Sequence, residues 1–293
     1  MILLFKLIGR LPLWLLRAVG LALGWIIWAA SGRYRSTMAK NLQQALHSGR
    51  LGVSDQGDAR RLRRDAIGHA GLIAAELPKI WCDPAVYGQV TAAGLERVHA
   101  VLDRGQGVIL LTPHLGAFEL SPRVFAQRRP ITVLYRPAKQ RTFRHLMESL
   151  RPIRNLATAP ANASGVRQLL RALRRGEAVG MLPDQVPAQG EGVWAPFFGL
   201  PALTMVLPIR LAQMSGAAIF WALTVRTQSG WHLSIEAWQP DPPIQDCPIE
   251  MALGRMNAAL EQQIARAPEQ YLWAYNRYKI PRGAMPPAED GRP

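Results

Sequence analysis

His114 and Glu119, in the stretch Gly107-Val-Ile-Leu-Leu-Thr-Pro-His-Leu-Gly-Ala-Phe-Glu119, are the pair in this sequence best suited to moving a proton. A neutral imidazole with a carboxylate behind it is the arrangement of a general base that deprotonates a hydroxyl. Val108 to Leu111 is a short apolar run that suits a strand buried on both faces. Thr112-Pro113 stops it. His114 then falls where a strand gives way to a loop, and Gly116 permits the tight turn that a following helix needs. Glu119 lies near the first turn of that helix, where the dipole favours a carboxylate. The two residues are out of phase on a regular helix. The spacing therefore predicts a loop histidine reaching back to a helix glutamate. An isolated H-x-x-x-x-E is more often a capping histidine with a solvated glutamate, so the rest of the chain has to decide.

The elements that must position this pair read as strand–helix alternation. Strands are predicted at Val108–Leu111, Ile131–Tyr135 and Ala178–Leu182, with helices at Arg141–Leu150 and Val166–Arg175, the latter capped by Ser164. Ala217–Val225 and Trp231–Ala237 read as later strands, a hairpin turned at Ser229-Gly230. Glu250–Arg266 is a long helix. Such alternation implies an α/β fold with a largely parallel central sheet flanked by helices. Ligands in such sheets sit beyond the carboxyl ends of the strands. His114, Arg136 and Asp184 each follow a strand in that way.

Before the alternation the chain is different. Leu11 to Ser31 is long and apolar enough to cross a bilayer, with Trp14, Trp25 and Trp28 near its ends and Arg17 as the exception. Three readings stand: a spanning anchor, an in-plane anchor and a cleaved signal peptide. No small-residue cleavage site follows, which favours an uncleaved anchor. Basic residues are heavier after the segment than before it, which puts the bulk of the chain in the cytoplasm. Met38–Leu46 reads as a short helix. Asp58–Leu77 reads as an amphipathic one ended by Pro78, and Gly94–Asp103 as another helix. The division is an anchor over 1–32, a single catalytic domain over 33–282, and a disordered Pro- and Gly-rich tail over 283–293.

Composition limits the partners. The 293 residues hold 35 Lys+Arg against 20 Asp+Glu, a net charge of +15. That balance favours polyanions: an anionic membrane, a phosphorylated substrate or nucleic acid. No helix-turn-helix or aromatic-interleaved basic surface supports nucleic acid. Cys82 and Cys247 have no metal or disulfide spacing, and none of the other histidines has metal-ligand spacing. Neither a metal nor another cofactor is called for.

Four blocks in order carry a family resemblance. His114-Leu-Gly-Ala-Phe-Glu119 resembles the H-x-x-x-x-[D/E] block of glycerolipid acyltransferases, and its context resembles the lipid A late acyltransferases, which transfer lauroyl or myristoyl chains. Val133-Leu-Tyr-Arg-Pro137 resembles their second block. Leu182-Pro-Asp-Gln185, Gly192 to Gly199 and Pro201 to Thr204 resemble their third. Gln270 to Lys279 resembles their closing block. Two departures, Ala117-Phe118 for a usual Asn-Trp and Asn276-Arg277 for a usual basic pair, leave the acceptor open between a lipid A precursor and an ornithine lipid or lysophospholipid.

The resemblance implies transfer of a fatty acyl chain from acyl-acyl carrier protein to a lipid hydroxyl at the cytoplasmic face of the inner membrane, with His114 as base and Glu119 orienting it. It implies no acyl-enzyme. Backbone N–H groups of the turn after His114 are the candidate oxyanion donors. A membrane-anchored esterase is the competing enzyme, without the G-x-S-x-G elbow of an α/β-hydrolase. A non-enzymatic basic membrane binder is the third reading. The substrate-binding set is Arg136, Asp184, Gly199 and Thr204. Arg136 suits a phosphate or packs on Tyr135. Asp184 partners a basic residue or is a turn residue. Phe197-Phe-Gly199 forms an acyl wall or ordinary core. Thr204 reads also as the cap of a helix over 204–214. Trp273, Tyr275, Arg277 and Lys279 line a membrane-facing rim or a plain strand end.

Overall fold

The computed structural model describes residues 2–136, 140–188 and 190–284. From 285 onward, the expected tail lies outside the described residues. Four helices come first: α1 (Ile2–Gly9), α2 (Leu13–Ala30), α3 (Gly32–His47) and α4 (Gln56–Cys82). Then follow β1 (Val90–Ala93), α5 (Leu95–Asp103), β2 (Val108–Leu111), α6 (Leu120–Ala126), β3 (Ile131–Tyr135), α7 (Arg141–Leu150), β4 (Leu156–Pro160), α8 (Ala163–Arg174) and β5 (Ala178–Met181). Next come β6 (Gly192–Phe197), β7 (Leu200–Met205), α9 (Leu207–Ser215), β8 (Ala218–Arg226), β9 (Trp231–Ala237) and α10 (Ile249–Ala265).

Among the described residues, seven strands form one sheet in the order β1-β9-β8-β2-β5-β3-β4. Every neighbouring pair is parallel except β8 with β9, which is the antiparallel hairpin expected at Ser229-Gly230. The fold is mixed α/β with a mostly parallel central sheet flanked by helices. Period-two alternation explains why the central strands read as continuous apolar runs. Ile109 and Leu111 face a large core with α3, α8, α9 and α10. Val108 and Leu110 face a smaller core with α5 and α6. A separate two-stranded sheet, β6 with β7, packs against α10, whose Asn257 donates to Pro196 and Thr204.

Several sequence expectations need correcting. Pro78 does not end α4. It lies inside the helix, where α1 packs on it: a Cβ on Gly9 would come within 2.5 Å of the Pro78 carbonyl, and Lys79 donates to the Gly9 and Leu11 carbonyls. Tertiary contact outweighs the local cost of a mid-helix proline, about 3 kcal/mol. α3 begins at Gly32, ahead of the expected Met38, because the Ser31 hydroxyl accepts from the Tyr34 N–H and caps it. α8 is capped by Asn162 rather than Ser164. Strands β1, β4, β6 and β7 carry too little apolar alternation to stand out in the sequence.

α2 crosses α4 at very short range. A Cβ on Gly24 would lie 2.3 Å from the Ile67 carbonyl, and one on Gly71 would lie 2.1 Å from the Gly20 carbonyl. Glycine on both helices is what lets the backbones meet. Replacing Gly71 with leucine is expected to cost at least about 1–3 kcal/mol through overpacking, read as a lower urea midpoint, whereas Gly254→Ala, in open space on α10, should leave the midpoint unchanged or raise it.

Candidate active site

The site is built where β2 and β5 end side by side. Their register pairs Val108 with Ala178 and Leu111 with Met181, a constant offset. Carried three residues further, that offset sets His114 opposite Asp184. Beyond the strands the Thr112 N–H still donates to the Met181 carbonyl at 3.2 Å. The Asp184 carboxylate takes the His114 backbone N–H at 2.8 Å and ring Nδ1 at 2.7 Å. His114 Nε2 meets the side-chain amide of Gln185 at 3.1 Å. With Nδ1–H donating to the carboxylate, Nε2 carries the lone pair and accepts from the Gln185 amide N–H.

The carboxylate behind the imidazole is therefore Asp184, not Glu119. Glu119 stands just before α6 and takes the Arg151 guanidinium at 2.8 Å and the Trp81 indole N–H at 3.2 Å. The reason is geometric. Phe118 places its ring 4.9 Å from that of His114, and Gly116, at φ 60°, turns the chain away from β2. A Cβ there would lie 2.0 Å from the Thr224 carbonyl, so the turn requires glycine. His114 and Glu119 nonetheless both line one cavity.

Asp184 is 2 % exposed. Burial disfavours its charge, yet the adjoining His114 ring and the hydrogen bonds from His114 dominate and hold the carboxyl below its ordinary range. Under it lie Tyr271 and Arg277. Burial and the Asp184 charge push the Tyr271 phenol well above its usual value, so it stays protonated. Arg277 is buried, and its guanidinium donates to the Leu203 carbonyl at 2.7 Å and to Thr204 Oγ1 at 2.9 Å. Burial lowers its pKa, opposed by Tyr271 and Asp184. Trp273 is also buried. Arg277 and Trp273 thus support the site from below and do not form the exposed rim that the sequence suggests. Tyr275 accepts the Val186 N–H with its hydroxyl, tying the closing segment to the loop after Asp184.

The cavity has a volume of about 860 Å³ and opens at the carboxyl ends of the strands. Ile73, Leu77, Leu134, Met147, Val166, Val186 and Val193 give it apolar walls, while Arg136, Arg151 and Arg210 supply positive charge. Arg136 is exposed, just past β3. Two other expected substrate residues lie elsewhere. Gly199, at φ 80°, and Phe198, at φ 46°, form the two-residue turn of the β6–β7 hairpin. Thr204 is buried within β7 and bonded to Asn257 and Arg277. It caps no helix, since α9 starts at Leu207. Phe197 and Phe198 pack with Tyr278 and Trp273 as core aromatics.

Nor do the N–H groups directly after His114 point at the cavity. Those of Leu115, Gly116 and Ala117 go to the Pro113, Gln270 and Thr224 carbonyls. Sequence reasoning missed Gln185, Arg151 and Trp81 as site residues. Gln185 follows Asp184 directly in the third block and was the most accessible of the three, whereas Arg151 reaches the cavity from just past α7 and Trp81 from α4.

The family model for bacterial lipid A biosynthesis acyltransferase matches residues 1–280. The lipid A biosynthesis palmitoleoyltransferase of Escherichia coli (strain K12) is 30% identical over 213 residues, covering 71% of this chain and 67% of that protein. The lipid A biosynthesis lauroyltransferase of the same organism is 27% identical over 219 residues, covering 74% and 70%. A lipid A biosynthesis acyltransferase of Haemophilus influenzae is 24% identical over 280 residues, covering 92% and 86%.

The depressed Asp184 pKa carries a stability expectation. Its folded value lies below its unfolded value, so the contribution is complete above the ordinary aspartate pKa, about 3.9, and is lost as pH falls through the folded value. Asp184→Asn should lose about 1.5–3 kcal/mol at pH 7, the range for hydrogen bonds to a charged group, and show a shallower loss of stability below pH about 4. Urea unfolding at both pH values measures this.

Proposed function

Because the chain belongs to the bacterial lipid A biosynthesis acyltransferase family, we propose that it moves a fatty acyl chain from acyl-acyl carrier protein to a hydroxyl of a phosphorylated lipid A precursor. The enzyme is an acyltransferase; the donor, the acceptor and the residue roles are the reading offered here. The observation that carries it is the His114 imidazole, held by Asp184 through Nδ1, with Nε2 at an apolar cavity.

In this reading the acceptor hydroxyl displaces the Gln185 amide from Nε2 and hydrogen-bonds there. As its oxygen attacks the thioester carbonyl, the proton passes to Nε2 and the Asp184 carboxylate stabilises the imidazolium. The tetrahedral intermediate collapses, the C–S bond breaks, and the thiolate of the carrier's prosthetic arm takes the proton back from Nε2. No enzyme nucleophile is used. Gln185, released from His114, is a side-chain amide at the cavity that can donate to the new oxyanion. Glu119 acts at one remove: it fixes Arg151 on the cavity wall, where the Arg151 guanidinium lies 5.5 Å from the Tyr135 ring centroid. Arg136, Arg151 and Arg210 bind acceptor phosphate. The apolar walls take acyl chains. The +15 charge draws both the acidic carrier protein and an anionic membrane surface.

The test is acyl transfer by purified protein from acyl-acyl carrier protein to a hydroxyacylated, phosphorylated disaccharide lipid. His114→Ala should lower kcat by about 10²–10⁴-fold, and Asp184→Asn should lower kcat with little change in KM. Glu119→Gln should instead raise the acceptor KM, because Arg151 is released. If Glu119→Gln matches His114→Ala in kcat while Asp184→Asn is silent, the assignment of the orienting carboxylate is wrong. Raising ionic strength should lower kcat/KM for the carrier-bound donor more than kcat.

A further inference from the structure

α2 has 18 residues and a mean hydropathy of 1.7, which is enough by length and composition to cross a bilayer. At 1.5 Å per residue it spans about 27 Å. Its surroundings do not allow it to leave the domain. Near its first turn, Arg17 donates to Glu76 at 2.8 Å, and to the Thr227 and Gly230 carbonyls of the β8–β9 turn at 2.5 and 2.7 Å. At its other end the chain turns at Ser31 into α3, whose Met38, Leu42 and Ala45 belong to the main core. Asn41 on α3 donates to the Trp273 and Tyr275 carbonyls. Between these ends, Gly20 and Gly24 lie against the α4 backbone. Both ends of the helix are thus fastened to the same body. If α2 crossed a membrane, one of those ends, with its polar partners, would have to enter or traverse hydrocarbon, where unpaired polar groups are costly.

The outward face is nevertheless apolar. Leu3 is 71 % exposed, Leu4 60 %, Trp14 70 %, Val19 56 % and Ile26 62 %. Exposed Lys6, Arg10, Arg33 and Arg35 flank this face along the chain. An exposed apolar face with cationic residues beside it matches the interior and the headgroups of an anionic leaflet.

We propose that α1 and α2 form a monotopic platform, lying in the plane of one leaflet of an anionic bilayer instead of crossing it. This deepens the membrane location in the reading above, and its test uses no transfer assay. The platform also sets where the active site sits. α4 meets α2 through Gly68, Gly71 and Leu72 and lines the cavity with Ile73, Leu77 and Trp81. α4 thus carries the platform on one side and the cavity on the other. An acceptor lipid would then reach His114 by moving along the membrane surface.

Single cysteines introduced as Arg10→Cys, Arg33→Cys and, on the catalytic body, Arg171→Cys test the topology in the full chain. A membrane-impermeant maleimide is applied to spheroplasts and to inverted inner-membrane vesicles, with the parent chain giving the background from Cys82 and Cys247. All three sites are expected to react from one and the same side. Reaction of Arg10→Cys from the side opposite Arg171→Cys overturns the proposal. A second measurement is flotation of the full chain with phosphatidylethanolamine–phosphatidylglycerol vesicles. A variant with Leu3→Ser, Leu4→Ser, Leu7→Ser and Trp14→Ser should lose about tenfold or more of its bound fraction without a change in Tm. Unchanged flotation overturns the proposal. So does conversion of a dimer to a monomer with flotation intact, since the face would then belong to a second copy of the chain.

Discussion

One hydrogen-bonded pair, His114 Nδ1 with Asp184 at 2.7 Å, depends on a single register between two parallel strands. β2 and β5 are buried on both faces, so a slip of one residue would turn apolar side chains such as Ile109 and Val179 to the wrong core. The same constraint that fixes the hydrophobic layers fixes the distance from imidazole to carboxylate. The geometry of the proposed base is a by-product of strand pairing, extended three residues past the last paired residues, Leu111 and Met181.

Asp184 also has to keep its charge while buried, and the imidazole has to be held in one orientation at the cavity wall. Asp184 keeps its charge under burial because His114 hydrogen-bonds to it through both backbone and ring, with protonated Tyr271 and Arg277 beneath. Arg277 in turn is anchored by Thr204 and Leu203 of β7, and Asn257 of α10 holds Thr204. These groups form one buried polar assembly. Loss of one partner would leave a charge uncompensated in low dielectric, which costs more than the net worth of the bond itself.

A second buried cluster touches the turn that follows His114. Glu76 of α4 receives Arg17 from α2, Arg226 at the end of β8, and the Trp231 indole. Arg226 also donates to the carbonyl of Gly116, in the turn that follows His114. The apolar N-terminal helix and the catalytic turn are therefore held by adjacent members of one ionic network. This is why Arg17, which looked like a defect in an apolar segment, is compatible with it: its charge points into the protein.

How much of this could be read along the chain differs between fold and site. Apolar runs such as Val108–Leu111 and Ile131–Tyr135, and the helical periodicity of Val166–Arg175, identified the parallel α/β sheet, because burial on both faces or on one stripe leaves a local pattern. The four ordered blocks pointed to the family, and His114 stood out by its place after a strand. The partner of His114 did not. Glu119 is five residues away in sequence but is directed by Gly116 and Phe118 toward Arg151 and Trp81, while Asp184 is seventy residues away and directly opposite. Proximity in sequence measures tether length, whereas proximity in a parallel sheet is set by register between strands whose connections hold whole helices. The strands that lacked apolar alternation, the buried role of Arg277 and the fastening of both ends of α2 likewise depend on contacts between distant segments, and so were decided by the tertiary structure alone.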